Sequence, residues 1–185
     1  MKPARWAFLI ALACALLAYG TAPAATPDPL SYDDPGMHFR PPDGWERLPV
    51  DQVPSDPQGP RAVAAYIFKK NKQDQRYMIL LIEPYSGTLD GFEKSHEGEL
   101  RNGADGTFID RHESLRLSNG MPAIWLRVTA RSGTFQSTRL NEFLVYDLTR
   151  GIILRYQGRA GDFGDDEARA AMASLYVVVY PKGRP

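Results

Sequence analysis

The fold of this protein is decided by residues 123–157, which read AIWLRVTARSGTFQSTRLNEFLVYDLTRGIILRYQ. The first run of this stretch alternates between two sets of side chains, which is typical of a strand with one buried face. Ser132 and Gly133 predict a turn into a second apolar run at residues 135–148. Arg150 and Gly151 predict another turn, into a third run at residues 152–157. The stretch therefore predicts three consecutive antiparallel strands. The alternating apolar positions of the first run are Ile124, Leu126, Val128 and Ala130.

Further strands are predicted on both sides of this stretch. Residues 62–68 and 77–82 are rich in β-branched and aromatic side chains, and the polar residues between them suit a hairpin. Strand patterning also covers residues 107–117, and shorter pieces are predicted at 37–39 and 176–180. Residues 50–60 contain three prolines, so we expect an exposed loop there.

Two segments show helical spacing instead. The first follows Thr88, a plausible N-cap, and is expected to end at Gly103. The second begins at Asp165, where acidic residues in the first turn suit the positive end of a helix. The sum is an α+β domain, with a central, mostly antiparallel sheet flanked by two main helices. The apolar faces of the two helices are Leu89, Phe92, His96 and Leu100, and Ala168, Ala171, Met172 and Leu175.

The amino end has the pattern of a secretory signal peptide. Lys2 and Arg5 provide a positive start, and residues 6–17 form an uncharged apolar run that is shorter than a membrane-spanning helix. Ala22 and Ala24 place small side chains where signal peptidase requires them. We therefore expect cleavage near Ala24, a flexible leader at residues 25–35, and a single domain at residues 36–185. The mature protein is expected in the periplasm or outside the cell.

Cys14 offers an alternative to cleavage near Ala24. Leu12 and Ala13 precede it as they would in a bacterial lipoprotein signal, but the apolar run continues past the thiol. We therefore expect cleavage near Ala24 and no stable membrane anchor. The mature chain then has no cysteine, so its stability must come from packing rather than from disulfides.

Charge and motifs exclude several classes of function. Removing Lys2 and Arg5 from the 22 basic residues leaves 20 against 22 acidic ones, which argues against a general nucleic-acid binder. The sequence has no phosphate-binding loop, dinucleotide fingerprint or nucleophile elbow. We therefore expect no cofactor and favour a binding protein over an enzyme. A small-ligand binder or hydrolase with a pocket between sheet and helix stays open as the alternative.

Three groups of polar residues could form metal-binding or catalytic sites. His96 with Glu93 and Glu97 could hold a metal, but His96 also falls on the apolar stripe of its helix, so we expect no metal there. His112 alternates with carboxylate, hydroxyl and guanidinium groups, yet side chains two apart on a strand are too distant for a triad. We therefore expect these side chains to form a solvated polar face. The acidic residues around position 165 resemble a calcium loop, but helix capping explains most of them. The neighbours of His112 are Asp110, Ser114 and Arg116, and the acidic residues are Asp162, Asp165, Asp166 and Glu167.

Arginines of the three central strands form the one candidate binding patch. They project from neighbouring strands and could bind an anion or a partner protein if the strand registers bring them to one face. The alternative is that they cover the sheet and face solvent. These residues are Arg127, Arg131, Arg139 and Arg155.

Three short motifs stand at the predicted strands. Residues 36–45 read GMHFRPPDGW, where a short strand leads through proline and glycine to a tryptophan. Residues 120–123 read GMPA before a strand, and residues 151–156 read GIILRY before the last helix. Together these motifs resemble the PsbP-like and DcrB-like superfamily. The resemblance implies an α/β/α sandwich and proteins that act mostly by binding other proteins. It implies an exported envelope accessory protein, a protein-binding or assembly module whose partner is another envelope or secreted protein.

Overall fold

The computed structural model describes residues 28–53, 59–69, 75–103, 107–132, 136–159 and 165–178. The predicted signal peptide, Cys14 and the cleavage site near Ala24 lie outside these residues. The described strands and helices, in chain order, are β1 (Tyr32–Asp34), β2 (Met37–Phe39), β3 (Glu46–Leu48), a 3₁₀ helix (Val50–Gln52), β4 (Arg61–Lys69), β5 (Gln75–Pro84), α1 (Leu89–Gly103), β6 (Thr107–Arg116), β7 (Pro122–Ser132), β8 (Gln136–Tyr146), β9 (Arg150–Arg159), α2 (Asp165–Ala173) and β10 (Tyr176–Val177).

A seven-stranded antiparallel sheet is the main element, with strand order β3-β4-β5-β9-β8-β7-β6. Strands β7, β8 and β9 are the predicted meander, in which Phe143 lies opposite Trp125 on one side and Leu154 on the other. Strand β5 pairs with β9, so the hairpin that precedes α1 in the sequence joins the meander. The predicted α+β class, with a large antiparallel sheet and two α-helices among the described residues, is confirmed.

The second turn of the meander differs from the sequence prediction. Arg150 and Gly151 belong to β9, and the turn consists of Asp147, Leu148 and Thr149. The Asp147 carboxylate accepts hydrogen bonds from the backbone N–H groups of Thr149 and Arg150, at 2.9 and 2.7 Å. Leu148 takes a positive φ of 76°. Hydrogen bonds from the backbone to the Asp147 side chain therefore stabilise this turn, where a glycine was expected.

A second, three-stranded sheet has the order β1-β2-β10. Strand β1 lies within the predicted leader, and Tyr32 pairs with Phe39 of β2. Asp34 accepts a hydrogen bond from the Arg150 guanidinium at 2.7 Å, which ties the strand to the large sheet. Strand β1 thus lies before residue 36, where the sequence predicts the start of the domain.

One face of the large sheet carries Trp125, Phe143 and Leu154, and we call it the α2 face. Helix α2 covers part of it. The small sheet and the residues around Trp45, just before β3, cover the rest, and we call the latter the Trp45 segment. Trp45 packs against Tyr156 with ring centroids 5.6 Å apart. Two helices flanking the sheet therefore describe this protein only loosely, because helix and strands share the covering of this face.

The opposite face carries Leu126, Leu144 and Ile153, and we call it the α1 face. Helix α1 packs on it through Phe92, which is fully buried. The Phe92 ring lies directly over Gly151, where a side chain would collide with it. Glycine at this position therefore sets how closely α1 approaches the sheet.

Candidate functional site

The strand registers separate the predicted arginine patch. Arg127 lies opposite Asn141, and Arg139 lies opposite Thr129, so both belong to the α2 face. Arg155 lies opposite Glu142, which places it on the α1 face. Arg131 is in β7, and its side chain lies outside the described part of the protein. Arg155 therefore does not share a surface with Arg127 and Arg139.

Arg127 is occupied by ion pairs inside the protein. It donates to Asp110 at 2.8 Å and to Asp165, at the start of α2, at 2.9 Å. Arg111 also binds Asp165, and its guanidinium lies 4.1 Å from the centroid of the Trp125 ring. Hydrogen bonds to Asp110 raise the pKa of Arg127 above its ordinary value. Arg127 thus holds the first turn of α2 against β7.

Ion pairs with arginine account for two of the acidic residues considered for calcium. Asp165 is paired with two arginines, and Glu167 binds Arg76. Burial would raise the pKa of Asp165, but its hydrogen bond to Arg127 lowers it. Asp162 lies outside the described residues. Asp165 and Glu167 are therefore neutralised by arginine side chains.

A buried group of three charged or titratable side chains lies on the α1 face. Glu142 is fully buried, and its carboxylate accepts hydrogen bonds from Arg155 Nε at 2.6 Å and from His96 Nε2 at 2.7 Å. Since an ionised carboxylate only accepts, His96 carries a proton on Nε2. Helix α1 positions His96, and the neighbouring strands β8 and β9 position the other two. The apolar stripe of α1 predicts His96 at a core edge, whereas Glu142 is not among the candidate residues in the sequence.

These three groups change each other's ionisation. Burial would raise the pKa of Glu142, but the Arg155 charge and the His96 hydrogen bond outweigh it and lower the pKa to about 2. Burial would lower the pKa of His96, but Glu142 outweighs that effect and raises it. His96 Nδ1 is buried without a hydrogen bond among the described residues, and the nearest Glu99 oxygen is 3.8 Å away.

An open groove of about 450 Å³ lies beside these residues, between the end of α1 and Pro60. A second hollow of about 430 Å³ adjoins it, next to the 3₁₀ helix, and Arg155 and Gln157 line both. We call the two together the Arg155 groove. Its floor crosses the strands from β6 to β5, which is about 20 Å at the usual strand spacing, and the second hollow continues to β4 and β3. Residues lining the first part are Pro60, His96, Glu99, Leu100, Thr107, Ala130, Thr138, Leu140, Arg155 and Gln157.

A β-bulge breaks up the polar face predicted around His112. The register shifts between Ile109 and Arg111, and Asp110 turns to the α2 face, where it binds Arg127. His112 stays on the α1 face, opposite Leu126. Its Nε2 lies 2.5 Å from Oε1 of Glu93 in α1. Carboxylate and imidazole therefore belong to opposite faces, and the predicted alignment of Asp110 with His112 is wrong.

Glu93 and Glu97 lie beside a histidine, but it is His112 rather than His96. His96 points to Glu142, whereas His112 reaches the two glutamates from β6. One ligand atom from each of Glu93, Glu97 and His112 lies within 4.8 Å of the others. The two glutamates are one helical turn apart, so the sequence shows two of the three residues of this cluster. The histidine comes from a distant strand and needs the fold to bring it there.

Comparisons with known proteins show the fold. No protein-family model matches the chain, and no curated protein matches it. The solution structure of cyanobacterial PsbP (CyanoP) from Synechocystis sp. PCC 6803 is similar with a TM-score of 0.58 and 12% identity, covering 85% of this chain and 98% of that one. The crystal structure of LpqN, involved in cell envelope biogenesis of Mycobacterium tuberculosis, is similar with a TM-score of 0.56 and 15% identity, covering 80% and 87%. The resemblance to a PsbP-like fold is confirmed.

Proposed function

We propose that this protein is an exported accessory protein of the cell envelope that binds an extended segment of a partner protein in the Arg155 groove. The observation that carries the proposal is the shape of this groove. It is open along its length and crosses the strands for about 20 Å, which matches about six residues of extended chain. An enclosed cavity would suit a small molecule better.

Arg155 gives the groove a fixed hydrogen-bond donor. Glu142 holds the guanidinium through Nε, and no described residue accepts a hydrogen bond from its two terminal nitrogens. A positioned guanidinium binds a carboxylate through two parallel hydrogen bonds. We therefore expect the bound segment to place an acidic side chain over Arg155, between the apolar contacts offered by Leu100 and Leu140.

The arrangement favours binding over hydrolysis. A histidine that acts as a general base needs a nucleophile within hydrogen-bond distance. Among the described residues, the ring nitrogens of His96 and His112 bond to or approach carboxylates, and neither bonds to a hydroxyl group.

Export is supported by the signal pattern of residues 1–24 and by the kinds of protein that share the fold. The LpqN structure is described as that of a protein involved in cell envelope biogenesis. In the part of the chain that the structure describes, no helix has the length and apolar character needed to cross a membrane. These observations fit an extracytoplasmic protein that another protein recruits.

Filling the groove tests the binding proposal. Ala130 and Thr138 line the groove and are partly exposed, so Ala130→Trp and Thr138→Trp should occupy it without entering the core. Ser95→Trp places the same side chain on the exposed surface of α1 and is the matched control. The measurement is cross-linking in intact cells, followed by quantitative mass spectrometry of proteins that co-purify with each variant.

We expect a partner whose recovery falls at least tenfold in both groove variants and stays unchanged in Ser95→Trp. Recovery that is equal in all variants, or lost equally in the control, would overturn the groove as the binding site.

Export and processing are tested by the mass and amino-terminal sequence of the protein isolated from the envelope fraction. We expect a chain that begins at Ala25 and carries no lipid. A product that begins with a lipid-modified Cys14, or an uncleaved chain in the cytoplasm, would contradict this part of the proposal.

One observation favours the alternative of a small ligand. His96 Nδ1 is buried, has no described hydrogen-bond partner, and belongs to a residue that lines the groove. A small polar molecule could bond to it there. A thermal-shift screen of organic acids and amino acids would detect such a ligand, because a molecule that binds only the native state raises its melting temperature.

A further inference from the structure

We propose that Glu93, Glu97 and His112 form a binding site for a divalent transition-metal ion, between α1 and β6. This site is separate from the Arg155 groove and does not depend on the function proposed above. In the sequence, the histidine nearest to Glu93 and Glu97 is His96, which is predicted at a core edge of α1. Only the fold brings His112 to these two glutamates.

The three ligands come from two elements that pack together. Glu93 and Glu97 are four residues apart and therefore project from the same side of α1. His112 projects toward them from β6, and its Nε2 lies 2.5 Å from Glu93 Oε1. A tetrahedral zinc ion with bonds of about 2.0–2.2 Å separates its ligand atoms by about 3.3 Å. Atoms that lie within 4.8 Å of one another thus need side-chain shifts of about 1–2 Å, not backbone movement.

Burial makes the cluster unfavourable without a cation. Glu93 is 6% exposed, and the His112 ring is its one described ion-pair partner. Glu97 has an ion pair with the exposed Arg101, but at 3.7 Å, so the two carboxylates one turn apart still repel each other. A divalent ion would neutralise both and leave the His112 side open to water, because that side chain is 52% exposed.

The ligand types narrow the class of ion. Imidazole nitrogen suits zinc, copper, iron and nickel, and carboxylate oxygen suits magnesium, calcium and manganese. Two carboxylates with one imidazole are a mixed set, which we assign to Zn²⁺ or Mn²⁺ rather than to Ca²⁺ or Mg²⁺. Three protein ligands leave at least one position for water or for a group from a partner.

The test measures metal binding by the purified mature protein, first stripped with a chelator. Titration calorimetry with ZnCl₂ and with MnCl₂ should show one ion per chain, and the bound ion should raise the melting temperature. CaCl₂ and MgCl₂ at the same concentrations should have no comparable effect. Cobalt(II) added to the stripped protein should give visible absorption bands that report coordination directly.

Variants then assign the site. His112→Ala and Glu97→Gln change partly exposed side chains, so both should fold, and each should weaken metal binding at least tenfold. His38→Ala removes an exposed histidine that pairs with Asp33 in the small sheet, and it is the matched control. Circular dichroism checks that all three variants keep the native fold.

Two outcomes would overturn the site. The first is the absence of any calorimetric or spectroscopic binding by the stripped protein. The second is binding that His38→Ala weakens as much as His112→Ala does, which would indicate surface association only. Neither outcome bears on the Arg155 groove, because the groove variants change other residues and are read by partner recovery.

Discussion

The two faces of the large sheet use polar residues in opposite ways. On the α2 face, arginines and acids pair at the edge of an aromatic core, and Trp125 is fully buried beneath two guanidinium groups. On the α1 face, a carboxylate is itself fully buried, and its partner Arg155 lines an open groove. The ion pairs of the α2 face therefore cover a buried core, whereas the Glu142–Arg155 pair of the α1 face leaves Arg155 accessible from the groove.

This difference indicates that the two faces of the sheet have different roles in the domain. The α2 face joins the small sheet, α2 and the Trp45 segment into one core, so its polar groups mainly orient α2. The α1 face has a smaller apolar cluster, and both candidate sites lie on it. Truncating a core side chain should therefore cost most stability on the α2 face, whereas removing a charge should cost most on the α1 face, where the carboxylate is fully buried.

The largest effect is expected from Trp125→Ala on the α2 face. Truncating a fully buried tryptophan should cost about 4 kcal/mol of unfolding free energy. The change also leaves Asn141 without the indole N–H that donates to it at 3.0 Å. Urea unfolding followed by circular dichroism measures the loss. Tyr176→Ala, at a position that is 47% exposed, is the control, and a similar cost there would contradict the packing argument.

Glu142→Gln should cost about 3 kcal/mol, because it leaves the Arg155 charge beside a neutral group in a buried position. Since the pKa of Glu142 is lowered to about 2, its contribution is present above the unfolded value near 4.5 and is lost as the pH falls toward 2. Urea unfolding at pH 7 and at pH 3 should show a smaller difference from the unsubstituted protein at pH 3.

The matched control is Glu113→Gln on the α2 face. Its carboxylate is 35% exposed and pairs with Arg111 and Arg169, so its loss should cost less than 1 kcal/mol, as is typical of accessible ion pairs. Equal costs for Glu113→Gln and Glu142→Gln would mean that the two faces do not differ in the way described.

Local signals in the sequence predict most of the architecture. Helix α1 follows Thr88, whose hydroxyl accepts a hydrogen bond from the Gly91 N–H at 3.1 Å, and it ends at Gly103 as expected. The meander follows from the period-two alternation of apolar residues in its first strand. These features depend on neighbouring residues, which the sequence displays directly.

The candidate sites depend on contacts between residues that are far apart in the sequence. The sequence predicts these contacts less well than it predicts the helices and strands. The bulge beside Asp110 reverses one side chain, and no local signal in β6 marks it. Glu142, between Leu140 and Leu144 on the inward side of β8, could have been found as an acidic residue in an apolar row. Its partner His96 is 46 residues away, so the pairing requires the register of α1 on the sheet.

A third test concerns how closely α1 approaches the sheet. Gly151→Ala should destabilise the protein by about 2 kcal/mol, because the added methyl group collides with the buried Phe92 ring. Gly98→Ala is the matched control, since a methyl group there meets no atom within 4 Å. In a helix it should stabilise by about 0.5–1 kcal/mol. Opposite signs in thermal unfolding would confirm the close approach, and equal signs would contradict it.

The smallest effect concerns His96, whose contribution should depend on pH. Because Glu142 raises the pKa of His96 above its ordinary value of 6.5, protonated His96 stabilises the folded state. That stability is fully present below pH 6.5 and is lost as the pH rises through the folded-state pKa. The free-energy difference between the unsubstituted protein and His96→Gln should therefore be larger at pH 5.5 than at pH 8.5. Glu142 stays ionised throughout this range, so His96 alone changes charge within the pair. In a Glu142→Gln background this pH dependence should be lost or reversed, because burial and the Arg155 charge then lower the pKa of His96. Its persistence there with the same sign would show that another group causes it.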